Sequence, residues 1–231
     1  MFGPTASGKT DMAVRVLKDY PVELISVDSV MVYKDCDIGS AKPSNEVLRK
    51  YPHHLVNVES LENIFTVSDF CRESLKLIDK IHDNEKIPLF VGGSMMYFKS
   101  LFHGIHDLPG KDHDYREELN HLKNNNPKNY LYSLLKNIDS VYANQIEEND
   151  HIRIIRALEI YKQSNIKLSD IFKETPKNGI KNNFDVHQFG IHLGRDIIHE
   201  RIKTRLIEMF DQGLIEETIN ILAKFQISND H

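Results

Sequence analysis

Residues 3–10 read Gly3-Pro4-Thr5-Ala6-Ser7-Gly8-Lys9-Thr10, the spacing G-x-x-x-x-G-K-[ST]. The two glycines let the backbone fold back, so that successive amide N–H groups converge on an anion at the start of a helix. Lys9 would add a mobile ammonium for the outer phosphates and Thr10 a hydroxyl for Mg²⁺, with the helix dipole adding favourable potential. The loop specifies phosphate and leaves the reaction open. A second chemical group lies in ISVDSVMVYKDCDIGSAKP, residues 25–43, where Asp28 ends an apolar run. At the carboxyl end of a parallel strand a carboxylate faces the ligand crevice. It either holds Mg²⁺ through water or serves as general base for an acceptor nucleophile. A third is Val91-Gly92-Gly93-Ser94, a further strand end, where the glycines permit close backbone approach and Ser94 either presents its hydroxyl or caps the next helix.

These groups require a frame. The runs 22–27, 54–58 and 87–91 are short, apolar and rich in β-branched residues, which suits buried strands. Between 66 and 86 the period becomes helical, with Val67, Phe70, Cys71, Leu75, Ile78 and Ile81 on one face and Thr66 with Asp69 as an approximate capping box. Residues 11–18 and 95–102 also read as helices. Strand, helix, strand at this spacing implies right-handed crossovers and a parallel sheet covered on both faces. Residues 112–172 are polar and mostly helical, and 173–183, KETPKNGIKNN, are turn-rich. The segment 185–193 alternates as a strand does, after which Ile198, Ile202, Leu206 and Phe210 step along a helix that Gly213 stops. The expected fold is α/β: a P-loop NTPase-like parallel sheet flanked by helices, with an inserted helical domain. Its divisions are 1–111 for the first part of the core, 112–183 for the insert and loop, and 184–231 for the return to the core.

The chain has 231 residues, 40% hydrophobic and 27% charged, with a net charge of −5. That size supports one substantial core and a smaller unit. The acidic balance argues against non-specific coating of nucleic acid, so any nucleic-acid site must be regional. Cys36 and Cys71 stand alone and far apart, which supports neither a disulfide framework nor a zinc ribbon and fits a reducing cytoplasm. No apolar run approaches membrane-spanning length, so no membrane is expected. Two residues precede Gly3, where a phosphate loop ordinarily follows a full strand, and the sequence implies clipping at that end.

Taken in order, GPTASGKT, ELISVDS, DIGSAKP, HHLVNV, VGGSMMYFKSL and RIIRALEIY resemble the tRNA dimethylallyltransferases, or tRNA isopentenyltransferases, over most of the chain. Nucleotide kinases share the first motif but not the others. The resemblance implies transfer of a dimethylallyl group from dimethylallyl diphosphate to the exocyclic amine of the adenosine beside the anticodon. The diphosphate is then a leaving group, and the loop stabilises its developing charge. By motif match Asp28 would accept the amine proton, Ser94 would hydrogen-bond near the reacting groups, and Thr10 would bind Mg²⁺. Lys9, with the rest of the Gly3–Thr10 loop, and Arg205 would meet the diphosphate. Ser94 stands where the family usually has Thr. The anticodon arm of tRNA would meet Asp28, Ser29, Val30, Met31 and Ser94 at the base channel, Arg116 at the entry of the insert, and Ile152, Arg153, Ile154, Ile155 and Arg156 beyond it. A base buried in its stack must first be extruded.

The family continues beyond this chain's last residue into helices that bind tRNA, so the resemblance implies clipping at that end as well. A monomer is expected. Two other enzymes compete: an adenylate isopentenyltransferase acting on free AMP, ADP or ATP, which needs no helical arm, and a small-molecule P-loop kinase. A non-catalytic nucleotide- or RNA-binding remnant is the remaining class.

Overall fold

The structure, a computed structural model, describes residues 1–225. The end of the 184–231 core segment, from 226 onward, lies outside the described residues. Two compact units emerge, one formed by Met1–His103 with Gly179–His231 and the other by Gly104–Asn178.

The first unit carries a parallel sheet in the order β2-β1-β3, from β1 (Val22–Val27), β2 (His53–His54) and β3 (Ile87–Gly92). Phe2 extends it, forming parallel bridges with Gly92 on one side and Gly190 on the other. Successive strand residues point to opposite faces. Leu24, Ile25, Ser26 and Val27 are all buried, so both faces of the central strand are covered. On one face Leu24 and Val91 pack with Ala13 of helix α1 (Lys9–Asp19). Helix α3 (Val67–Asp83) packs on β3 and on α4 (Met95–His103). Its apolar stripe buries Phe70, Cys71, Ile78 and Ile81. Thr66 Oγ1 accepts from the Asp69 N–H while Asp69 accepts from the Thr66 N–H, a complete capping box. A short helix α2 (Asn45–Lys50) precedes β2.

Two expected strands are not formed as read. Of 54–58, β2 keeps His54 alone, because Leu55 at φ 61° and Asn57 at φ 57° take left-handed conformations that end the extended run. Residues 185–193 reach the sheet only at Gly190, where the Phe2 N–H donates to Phe189 and the Ile191 N–H to Phe2.

The second unit contains α5 (His113–Asn125), α6 (Tyr130–Ile138), α7 (Ser140–Ala143), α8 (His151–Ser164) and α9 (Leu168–Ile171). It has its own core of Leu119, Leu131, Leu135, Ile154, Leu158 and their neighbours. Asp112 and Asp150 cap α5 and α8 by accepting the N–H groups of Tyr115 and Arg153. The unit begins at Gly104, ahead of the boundary read at 112, since Leu108 already packs on this core; residues 179–183 belong to the first unit.

The chain then forms α10 (Arg195–Asp211) and, after a turn at Gly213, α11 (Leu214–Lys224), in the first unit. The helix read through Ile198, Ile202, Leu206 and Phe210 is formed, but most of that apolar row faces outward. Ile202, Leu206 and Phe210 are 40%, 48% and 52% exposed, while Ile198, Arg205 and Met209 make up the half-buried side. Among the described residues no helix is long and apolar enough to cross a membrane.

Candidate active site

The phosphate loop takes its turn at Gly8, whose φ of 83° would strain a residue with a side chain, and α1 starts one residue later. Lys9 Nζ donates to the Pro4 carbonyl at 2.6 Å, and so lies over its own loop. Ser7 Oγ is buried in the loop and finds no hydrogen-bond partner among the described residues. A buried hydroxyl left unpaired is costly, and its place fits an oxygen-rich ligand. The Thr10 hydroxyl, in the first turn of α1, likewise makes no hydrogen bond among the described residues.

β1 delivers Asp28 to the same end of the sheet. Its Oδ1 accepts from the N–H groups of Val30 at 2.9 Å and Met31 at 3.1 Å, which pins one oxygen and leaves Oδ2 without a hydrogen-bond partner among the described residues. Asp28 and Met31 are half-buried; Ser29 and Val30 are exposed. β3 delivers Ser94, whose N–H donates to the Val27 carbonyl at 3.2 Å, so the two strand ends lie side by side. The Ser94 hydroxyl bonds to no described residue, so it does not act as a helix cap. At Gly93 a side chain would sit 4.0 Å from Lys9 Nζ and 3.6 Å from the Gly3 carbonyl, which brings the third motif against the first.

α10 adds the cations. Burial lowers the Lys9 pKa and nearby Arg205 lowers it further, while Asp28 opposes them. Burial also lowers the Arg205 pKa, again against the pull of Asp28. Lys9, Asp28 and Arg205 therefore share one electrostatic neighbourhood. Arg201 Nη1 donates to the Ala6 carbonyl at 3.3 Å, a loop contact that sequence reading missed. Its spacing of four from Arg205 is the signal that could have found it, since residues i and i+4 share a helix face.

The stretch after Asp28 is held from within. The Lys42 side chain is 2% exposed and its Nζ donates to the Tyr33 carbonyl and to Asp37 and Asn57 side chains at 2.7–2.8 Å. Glu217 accepts three further N–H groups from this stretch, at Asp37, Ile38 and Gly39.

The insert places its candidates differently. Glu159 is fully buried and takes both Nε and Nη2 of Arg116, the Nη1 of Arg156 and the Asp112 N–H. Arg156 also donates to the carbonyls of Pro109 and Gly110. These two arginines thus serve as counter-charges for a buried carboxylate, as a buried charge requires. Ile154 is buried in the core of this unit and Ile155 packs against it. Ile152 and Arg153 remain outward, with Ile152 85% exposed and Arg153 paired to Asp150.

A family model described as IPP transferase matches residues 31–230. The chain belongs to the IPP transferase family. It is 36% identical over 230 residues to the tRNA dimethylallyltransferase of Psychrobacter arcticus, a match covering 99% of this chain and 55% of the relative. The tRNA dimethylallyltransferase 1 of Syntrophotalea carbinolica is 37% identical over 222 residues, 96% of this chain and 70% of that protein. The chain thus spans little more than half of the first relative. Among solved structures, the tRNA isopentenylpyrophosphate transferase of Bacillus halodurans aligns with a TM-score of 0.62 at 33% identity, over 99% of this chain and 70% of its own. A eukaryotic dimethylallyltransferase acting on tRNA aligns with 0.80 at 27% identity, over 97% and 55%. The parallel sheet flanked by helices is the fold of an IPP transferase, in agreement with the sequence reading.

Proposed function

We propose that this IPP transferase transfers a dimethylallyl group from dimethylallyl diphosphate to the exocyclic amine of the adenosine beside the anticodon of tRNA, releasing diphosphate. The observation that carries the reading is the convergence of the phosphate loop, Lys9, Asp28 and Arg205 at one end of the sheet, in a chain whose relatives bear the name tRNA dimethylallyltransferase. The amine nitrogen attacks the allylic carbon as the carbon–oxygen bond to diphosphate breaks. The leaving group takes the electron pair, and the nitrogen proton passes to Asp28 Oδ2, the oxygen that the Val30 and Met31 N–H groups do not use. Lys9, Arg201 and Arg205 supply positive charge where the diphosphate becomes more negative. Ser94 would donate its hydroxyl beside the reacting groups.

A magnesium ion fits this donor set in a limited way. Among the described residues no group of three or more His, Cys, Asp or Glu could hold a metal alone. Thr10 would hold Mg²⁺ together with diphosphate oxygens, and the ion would neutralise charge on the leaving group. A folded arm with its own core supports a macromolecular acceptor over a free nucleotide. On that arm Ile152 and Arg153 are the candidates to meet RNA; Ser29, Val30 and Met31 would line the base channel. We read the chain as a monomer that acts in the cytoplasm.

The test is transfer of labelled dimethylallyl from its diphosphate to bulk tRNA, with AMP, ADP and ATP as competing acceptors and ATP as competing donor. Label in RNA alone is expected. Label on mononucleotides would favour the adenylate enzyme, and phosphoryl transfer from ATP without use of the prenyl donor would favour a kinase.

A further inference from the structure

Glu217 sits in the first turn of α11, far in sequence from every motif that points to chemistry. Its carboxylate nevertheless accepts three backbone hydrogen bonds, Oε2 from the Asp37 and Ile38 N–H groups at 2.8 and 2.7 Å, and Oε1 from Gly39 at 2.8 Å. Three converging amides form an anion-binding nest, and here the anion is supplied by the protein itself. The attachment is reinforced at the end of α11 by Lys224, which pairs with Asp35 at 3.0 Å, and by Ile221 and Phe225 packing against Val32, Tyr33 and Leu61.

The other helix of this hairpin reaches the phosphate loop, through Arg201 on Ala6 and Arg205 beside Lys9 and Asp28. Neither helix buries a single residue fully. The hairpin is therefore held at two ends, by the arginine contacts at the phosphate loop and by the Glu217 clasp with the Lys224 pair and the Ile221 and Phe225 packing around residues 32–39. Fixing one end of a rigid pair of helices fixes the reach of the arginines at the other.

We infer that Glu217 is a positioning residue: by clasping the Asp37–Gly39 amides it holds the α10–α11 hairpin so that Arg201 and Arg205 stand over the phosphate loop, and it couples that loop to the segment carrying Asp28. The inference rests on the reading of this loop as a diphosphate site. In Glu217→Gln one oxygen remains, and the new amide group faces N–H donors that it cannot accept. Arg205 then loses its fixed place although its own side chain is unchanged.

The experiment is a double-mutant comparison of Mg²⁺-dependent inorganic diphosphate binding, with amide hydrogen exchange on the same proteins. Glu217→Gln is expected to weaken diphosphate binding roughly tenfold, Arg205→Ala at least as much, and the pair by clearly less than the product of the two, because residues that act as one unit do not add. Exchange should rise at 37–39 and also across the Arg201–Arg205 part of α10. Additive losses, or faster exchange confined to 37–39, overturn the inference. Should Glu217→Gln fail to fold, Glu217→Asp keeps both oxygens on a shorter stem and carries the same comparison. If the unaltered chain binds no diphosphate while exchange in the variant still spreads to α10, the clasp stands and the diphosphate reading falls.

Discussion

The carbonyl oxygen of Val27 fills the space that a side chain on Gly92 would need. Val27 and Gly92 are partners in the β1–β3 register, and they end the strands that present Asp28 and Ser94. Gly92→Ala must spread those ends. We expect a loss of about 2–3 kcal/mol in stability, the usual scale of overpacking, together with weaker diphosphate binding. Urea unfolding checks the first part, and an unchanged midpoint would contradict the geometry.

Asp28→Asn preserves the Oδ1 acceptor for the Val30 and Met31 N–H groups and removes only the base. Turnover should fall by about 10²–10⁴, the range for a lost general base, with Mg²⁺-diphosphate affinity nearly intact. A large loss of that affinity, measured by calorimetry, would assign Asp28 to the metal instead.

Lys9→Ala should weaken diphosphate binding by roughly tenfold or more and spare affinity for tRNA, since charge-assisted contacts to phosphate are worth more than neutral ones. Equal losses of both ligands would mark the loop as structural.

What the sequence disclosed and what it hid follow a physical divide. Local chemistry was legible: the loop glycines, the Thr66–Asp69 capping box and the apolar stripe of α3 each depend on residues a few positions apart. Long-range pairing was not. Nothing near Gly190 announces that Phe2 will lie beside it, and the left-handed turns at Leu55 and Asn57 ended a run that looked extended. The site divides in the same way. Asp28, Ser94 and Lys9 stood out by motif, whereas Arg201 and Glu217 acquire meaning only from the loops they touch. By motif match Arg116 and Arg156 read as RNA contacts, and their buried partner, Glu159, could not be seen from the sequence.

That partner gives a pH prediction. Burial pushes the Glu159 carboxyl up, but hydrogen bonds from Arg116, Arg156 and the Asp112 N–H outweigh it and hold its pKa at about 2, below the ordinary 4.5. A carboxylate with a depressed folded pKa stabilises fully above its unfolded value, and that stabilisation is lost as pH falls through the folded one. The difference amounts to about 3 kcal/mol by linkage. Glu159→Gln should therefore be much less stable than the unaltered chain at pH 7, and the gap should narrow as pH is lowered from 4.5 toward 2. A gap that stays constant in paired denaturant titrations would show that the carboxylate charge is not what the arginines require.

The bridges of Phe2 to Gly92 and to Gly190 also set an order of events. The strand position that feeds the phosphate loop is flanked on both sides only when residue 190 has arrived, after the whole Gly104–Asn178 unit has been made. Contacts so distant in sequence form late, because loop closure costs entropy before it is rewarded. During synthesis the helical arm can fold on its own core while the cradle waits. The phosphate loop, made before the helical arm, is among the last parts to reach its working shape.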